Sequence, residues 1–356
     1  MTVAKSTAIT APVVLLCGYY GEDNLGDNAL LEVLLQQLPT HCRLLITAWN
    51  RDAIRRLAPT ATVVNRRSLI AVLSSTTRVN IVIFGGGSLL QDSTSLRSLI
   101  YYVLLILCSR LQRRKVVLWG QGLGPLHHRF SRWMVRVVLP LCSAVSWRDQ
   151  RSFEQARRWA PSLPSRMAPD PVWQLPRRCW NGGTSIVLSW RPTPLLSPAD
   201  WRLLLQVLSR LASELDAPVR WLAFHQHQDA SLLADLQNRD LMPSELFKRS
   251  TTVIPKTVDA VFQTVQAARI VIPMRLHALI LARLCCCPMA ALSYDPKVEA
   301  AAEMSDVPWS SLRQLPSQDH LIRQWRAVVD QPADPERIEQ IRQRAAAHAE
   351  LIKQVC

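Results

Sequence analysis

The chain has 356 residues, of which 49% are apolar and 19% charged, so it can bury sizeable cores and is not globally disordered. Its formal charge of +15, carried mostly by Arg, favours phosphate-bearing or otherwise anionic partners. The basic residues fall in short clusters, such as Arg110 to Lys115 and Arg151 to Arg158, and no interleaved aromatic and basic motif points to nucleic acid.

Short apolar runs alternate with helical patterns, as in parallel sheets wrapped by helices. In the first half the predicted strands are Val13–Cys17, Arg43–Thr47, Thr62–Val64, Val79–Phe84, Lys115–Trp119 and Ala144–Ser146, with helices at Ala29–Gln37 and Ser95–Gln112 between them. A Pro-rich stretch, 166–183, reads as a linker. Further strands follow at Ser185–Ser189, Val219–Phe224, Ala268–Ile272 and Pro288–Ser293, with helices at Trp201–Leu215 and His277–Leu284. A charged helix, Pro335–Lys353, closes the chain. The expected organisation is an N-terminal Rossmann-like domain (1–165), the linker, a C-terminal Rossmann-like domain (184–330) and a terminal helical segment (331–356). The fold class is α/β, two doubly wound domains facing a cleft. Ligands in such sheets bind outside the carboxyl ends of the strands.

Several strand ends carry residues suited to that chemistry. The first runs into GYYGEDNLGDNALL, Gly18–Leu31, where Gly21 and Gly26 permit close ligand approach and Asp27 or Asn28 can cap the next helix. The spacing is neither a dinucleotide fingerprint nor a P-loop, so neither nicotinamide nor ATP use is supported. The fourth strand ends in FGGGSLLQD, exposing the backbone of Gly86 and Gly87 beside Ser88 and Asp92, and the fifth in WGQGLGP with Gln121. The sixth delivers Arg148 and Asp149; Arg suits bidentate grip on carboxylate or phosphate.

In the second half, IPMRLHALILA places Arg275 and His277 where a strand gives way to a helix, a natural site for an anion. Arg191 follows another strand, and Lys297 follows Pro296 in SYDPKVE. FHQHQD supplies His225 and His227, whose i,i+2 spacing in an extended segment puts both on one side; with no third ligand evident, no metal is expected. The nine Cys lack metal or redox spacing, and contiguous Cys285–Cys287 read as small buried hydrophobes in a reducing cytoplasm. The N-terminal stretch with Lys5 shows no leader pattern, and Leu276–Tyr294 is too interrupted to span a membrane.

GYYGEDNLGDNALL, FGGGSLLQD, GQGLGP, RDQRS, MRLHALILA and YDPKVE, taken in order from Gly18 to Glu299, resemble the polysaccharide pyruvyl transferase family, of the bacterial surface-polysaccharide type. The resemblance implies a fold similar to B-type glycosyltransferases. It also implies phosphoenolpyruvate as donor and a sugar acceptor, often carried on polyprenyl diphosphate, with no cofactor. By motif, the family's donor-binding cations fall on Arg148, Arg275, His277 and Lys297. Catalytic roles are expected for His277, Arg148 and Asp27, and substrate contacts for Arg275, Lys297, Gly21, Asn24, Gly26, Gly86, Gly87, Ser88, Gln121 and Arg191. Asn28 and Pro273 depart from the family's pattern, which bears on the acceptor more than the donor. The implied location is the cytoplasm, compatible with peripheral contact at the inner face of the plasma membrane. The alternatives are a nucleotide-sugar glycosyltransferase of the same fold and a non-catalytic basic module that binds lipid.

Overall fold

The structure, a computed structural model, describes residues 11–93 and 95–356. The N-terminal stretch with Lys5, read as lacking a leader pattern, lies outside them. Two compact units emerge. The first comprises the described residues up to Glu22, then Leu30–Pro171 and Ala346–Cys356; the second comprises Asp23–Ala29 and Val172–Ala345.

The first unit is built on a seven-stranded parallel sheet. Its strands are β1 (Val13–Tyr20), β2 (Arg43–Ala48), β3 (Thr62–Asn65), β4 (Ile81–Phe84), β5 (Lys115–Gln121), β6 (Ala144–Trp147) and β7 (Ser165–Met167), in the order β3-β2-β1-β4-β5-β6-β7. Register is fixed by pairs such as Val14↔Ile81 and Leu15↔Leu45. Leu15, Cys17, Phe84 and Leu118 are fully buried, as expected of strands covered on both faces. The strand order reverses between β1 and β4, which makes their carboxyl ends a topological switch point. Gly120 bulges the β5–β6 pairing; its φ of +59° favours glycine, and a Cβ there would lie 2.3 Å from Pro171 Cγ.

The second unit carries β8 (Ser185–Ser189), β9 (Val219–Leu222), β10 (Ser250–Val253) and β11 (Ala268–Pro273) in the order β10-β9-β8-β11, all parallel. A parallel bridge, Val271↔Met289, leads to the pair β12 (Ala291–Ser293) and β13 (Trp309–Ser311). The order again reverses, between β8 and β11. Trp190 anchors this core, edge-on to Trp221 at 5.5 Å and donating from Nε1 to the Ile272 carbonyl at 2.9 Å.

Three expectations need correction. The 166–183 linker overlaps β7, which pairs with β6 through Val145↔Ser165; this edge strand is too short and too exposed to show an apolar run. The predicted terminal helix is two helices, Pro335–Ala345 and Ala347–Val355, grouped with the second and first units respectively. The break accompanies burial of His348, whose ring meets Ser146 Oγ and the Pro169 carbonyl, each at 2.8 Å. The first helix begins at Leu25, not Ala29, because Asn24 caps it: Asn24 Oδ1 accepts from Gly26 N at 3.1 Å. Asp27 therefore lies inside the first turn. No helix among the described residues is long and apolar enough to cross a membrane.

Candidate active site

The carboxyl edge of the second unit's sheet gathers most of the predicted residues. Segment Asp23–Ala29 belongs to this unit and docks on the end of β9: Leu25 N donates to the Phe224 carbonyl, and Gln226 N to that of Asp23, both at 3.0 Å. This brings Asn24 and Asp27, joined by Asn24 Nδ2 donating to Asp27 Oδ2 at 2.5 Å, to the edge. A Cβ on Gly26 would lie 2.1 Å from His277 Nδ1, so the His277 ring rests directly on the glycine backbone.

His277 reaches that position from the first turn of helix Leu276–Leu284, for which Arg275 is the N-cap residue without capping through its side chain. The Arg275 side chain turns to Asp229, bonding Oδ2 from Nε at 2.8 Å and Oδ1 from Nη2 at 2.5 Å, and reaches Gln228 Oε1 at 3.1 Å. Asp229 Oδ2 also accepts from His225 N at 2.8 Å. Asp229 is 5% exposed, so it is a buried counter-ion that fixes both the arginine and the turn after β9. Sequence reasoning missed it, although it closes the FHQHQD segment.

That segment is not extended. Residues Gln226–Asp229 form one helical turn with His225 at its N-cap position, and His227 Nε2 instead meets Asp23 Oδ2 at 3.2 Å. Burial, and secondarily the charge of Arg275, holds the His225 imidazole below its ordinary pKa. Among the described residues no group of three His, Cys, Asp or Glu could hold a metal ion.

Two further strand ends share this edge. Arg191, after β8, lies over the Tyr294 ring at 5.1 Å and donates to its hydroxyl at 3.3 Å. Lys297 occupies the first turn of helix Pro296–Met304, where its N–H donates to Asp295 Oδ1 at 2.9 Å.

The remaining predicted residues lie in the first unit. Arg148, at the end of β6, donates to Asp170 Oδ2 at 2.8 Å and to Ser88 Oγ at 3.3 Å. Both partners of this ion pair are almost fully buried. Gly122 makes room for them, since a Cβ would lie 2.5 Å from Ser88 Oγ and 3.4 Å from Arg148 Nε. Gly87 bonds across to β5 through Gly122 N and the Gly87 carbonyl at 2.7 Å, while a Cβ on Gly86 would strike Leu30. Gln121 binds the Gly85 carbonyl and accepts from Leu89 N, and is 1% exposed. Its side chain therefore holds the triple-glycine turn. Gly21 has a φ of +71° against Asn50.

Asp149 and Asp92 are structural. Asp149 caps helix Gln150–Trp159 through Ser152 N at 2.8 Å. Asp92 accepts from His127 N and His128 N at 2.8 and 2.9 Å. Burial pushes the Asp92 carboxyl up, but those N–H groups and the Ser131 hydroxyl outweigh it and hold the carboxyl below its ordinary value.

Two Rossmann-like units, each with ligand-suited residues at the carboxyl edge of a parallel sheet, give the chain a fold like that of B-type glycosyltransferases. The chain belongs to the polysaccharide pyruvyl transferase family, whose model matches residues 24–296. Its fold is similar to the UDP-GlcNAc 2-epimerase of Methanocaldococcus jannaschii (TM-score 0.65, 9% identity, covering 96% of this chain and 99% of that one). It is likewise similar to the Neisseria meningitidis UDP-GlcNAc 2-epimerase bound to UDP-GlcNAc (0.60, 13%, 96% and 98%). A third likeness is to Anabaena HepE in complex with UDP and glucose (0.59, 12%, 97% and 97%). At such identities the likeness speaks for the fold alone. No curated protein sequence matches the chain.

Proposed function

We propose that the chain transfers the pyruvyl group of phosphoenolpyruvate onto two hydroxyls of a sugar, forming a pyruvate ketal in cell-surface polysaccharide biosynthesis. The acceptor in this reading is a lipid-linked amino sugar such as N-acetylmannosamine, presented at the cytoplasmic face of the membrane. The observation that carries it is the family match over 24–296, which takes in every predicted residue of the second unit's polar edge except Lys297.

Phosphoenolpyruvate bears a carboxylate and a phosphate, so it needs several fixed cations and donors. Arg275 is suited to this because Asp229 pre-orients its guanidinium, and Lys297 and Arg191 follow neighbouring strands. In the reaction a proton is added at C3, a sugar hydroxyl attacks C2, phosphate leaves, and the second hydroxyl closes the ketal. One hydroxyl proton offsets that delivered to C3, and the other departs with phosphate. His277 supplies the C3 proton and Asp27 takes the proton of the attacking hydroxyl; the two belong to one polar edge because Gly26 lies under the His277 ring. Cationic side chains stabilise the departing phosphate. Arg148 enters this reading only through the resemblance.

The test is incubation with phosphoenolpyruvate and a panel of lipid-linked amino sugars, following phosphate release and weighing the products. A sugar product heavier by one pyruvate ketal, lost in His277→Ala and Lys297→Ala, supports the reading. The fold likeness to UDP-binding proteins favours a second reading, nucleotide-sugar transfer. Nucleoside diphosphate release without phosphate release from phosphoenolpyruvate would select it. Lipid binding without turnover of either donor would select the non-catalytic module.

A further inference from the structure

Helix Arg129–Val138 in the first unit presents three different stripes. Ser131, Met134, Val135 and Val138 are buried. Phe130, Trp133 and Val137, spaced three and four residues apart, share a second stripe and are 55%, 58% and 45% exposed. The Phe130 and Trp133 rings stack with centroids 5.7 Å apart and planes 19° from parallel, an ordered apolar surface turned to solvent. Arg129, Arg132 and Arg136, all exposed, form the third stripe beside it. A helix that only covers a core needs the first stripe and a mixed polar remainder. Here the remainder is divided into aromatic and cationic halves.

The stretch of sequence that holds the helix is one-sided in charge. From Ser93 to Arg148 the sequence contains no Asp or Glu. The carboxylates that flank this stretch are both committed elsewhere: Asp92 to the N–H groups of His127 and His128, and Asp149 to the N–H and hydroxyl of Ser152.

We infer that this helix is a docking surface for an anionic lipid bilayer. Phe130, Trp133 and Val137 enter the boundary between headgroups and acyl chains, where aromatic rings are favoured, and Arg129 and Arg132 hold lipid phosphates. Charge complementarity selects this occupant. A second copy of the chain would set the same uncompensated cations face to face, and a nucleic-acid groove does not call for a solvent-facing aliphatic and aromatic stripe. The inference stands on the helix itself and does not require the proposed reaction.

The experiment is co-sedimentation of the full chain with phosphatidylcholine vesicles, with and without phosphatidylglycerol. The chain is expected to bind only the anionic vesicles. The pair Phe130→Ser/Trp133→Ser and the pair Arg129→Gln/Arg132→Gln should each weaken that binding roughly tenfold or more. Brominated lipid should quench wild-type fluorescence, and the quenching should fall in Trp133→Leu. Phosphate release from phosphoenolpyruvate with a water-soluble acceptor should be unchanged in these variants, which separates failure of docking from failure of the reaction. The proposal is overturned if anionic vesicles are not bound, if both double variants bind as wild type, or if the Phe130/Trp133 pair instead abolishes a dimer or RNA binding.

Discussion

Asp229 grips Arg275 with both carboxylate oxygens, at 2.8 and 2.5 Å, while its Oδ2 also receives the backbone N–H of His225. One buried carboxylate thus ties together the ends of β9 and β11. Asp229→Ala leaves a largely buried guanidinium uncompensated and should cost about 3 kcal/mol of unfolding free energy. Asp229→Asn keeps the shape and one acceptor and should cost less. Denaturant unfolding of both, beside the KM for phosphoenolpyruvate, measures the effect; unchanged values in both variants would remove Asp229 from the site.

Gly26→Ala probes the close approach of His277. The added Cβ would start 2.1 Å from Nδ1, so the imidazole must move. Alanine is otherwise favoured in a helix by about 1 kcal/mol, so thermal stability should change little. Turnover is expected to fall more than tenfold. Wild-type turnover in Gly26→Ala would mean that the position of the His277 ring is irrelevant to the reaction.

Arg148 and Asp170 form a buried pair in the first unit. Arg148→Ala should therefore lose about 3 kcal/mol of stability by removing the buried counter-ion of Asp170, whatever else it does. Activity of this variant alone cannot separate binding from folding. Arg148→Lys keeps the charge without the guanidinium fork. If Arg148 grips an anionic substrate, the lysine variant should be folded at the assay temperature and defective in KM.

His348 predicts a pH effect on stability. Burial, partly opposed by the Pro169 carbonyl and by Asp170, lowers its pKa to about 4 from the ordinary 6.5. The folded chain therefore favours the neutral ring. Its contribution is complete above pH 6.5 and shrinks as pH falls toward 4, by about 2 kcal/mol at pH 5. His348→Phe has no titrating ring and should show a flatter loss of unfolding free energy between pH 7.5 and 5. Equal slopes would contradict the assignment.

Much of the fold was legible because buried parallel strands announce themselves as continuous apolar runs; Ser185–Ser189 is found at the predicted bounds. The strands that escaped notice, Ser165–Met167, Ser250–Val253 and Trp309–Ser311, are short and partly exposed, and STTV offers no apolar run. At the candidate site, Arg275 and His277 were visible as a guanidinium and an imidazole between a strand and a helix. Asp229 was not, because a carboxylate in a polar segment looks solvated until its partner is known. The docking of Asp23–Ala29 on β9 rests on backbone hydrogen bonds, which leave no mark in residue type. His225 and His227 were misplaced for a related reason: a single helical turn is too short to set up a periodicity.

The assignment of Asp23–Ala29 to the second unit also governs how this chain can be dissected. The polypeptide passes from one unit to the other after Glu22, Ala29, Pro171 and Ala345, so neither half is a continuous piece of sequence. A recombinant fragment spanning 172–345 would arrive without the peptide that covers Phe224 and supports the His277 ring. Its proper complement is a short N-terminal peptide supplied in trans, not the other half of the gene.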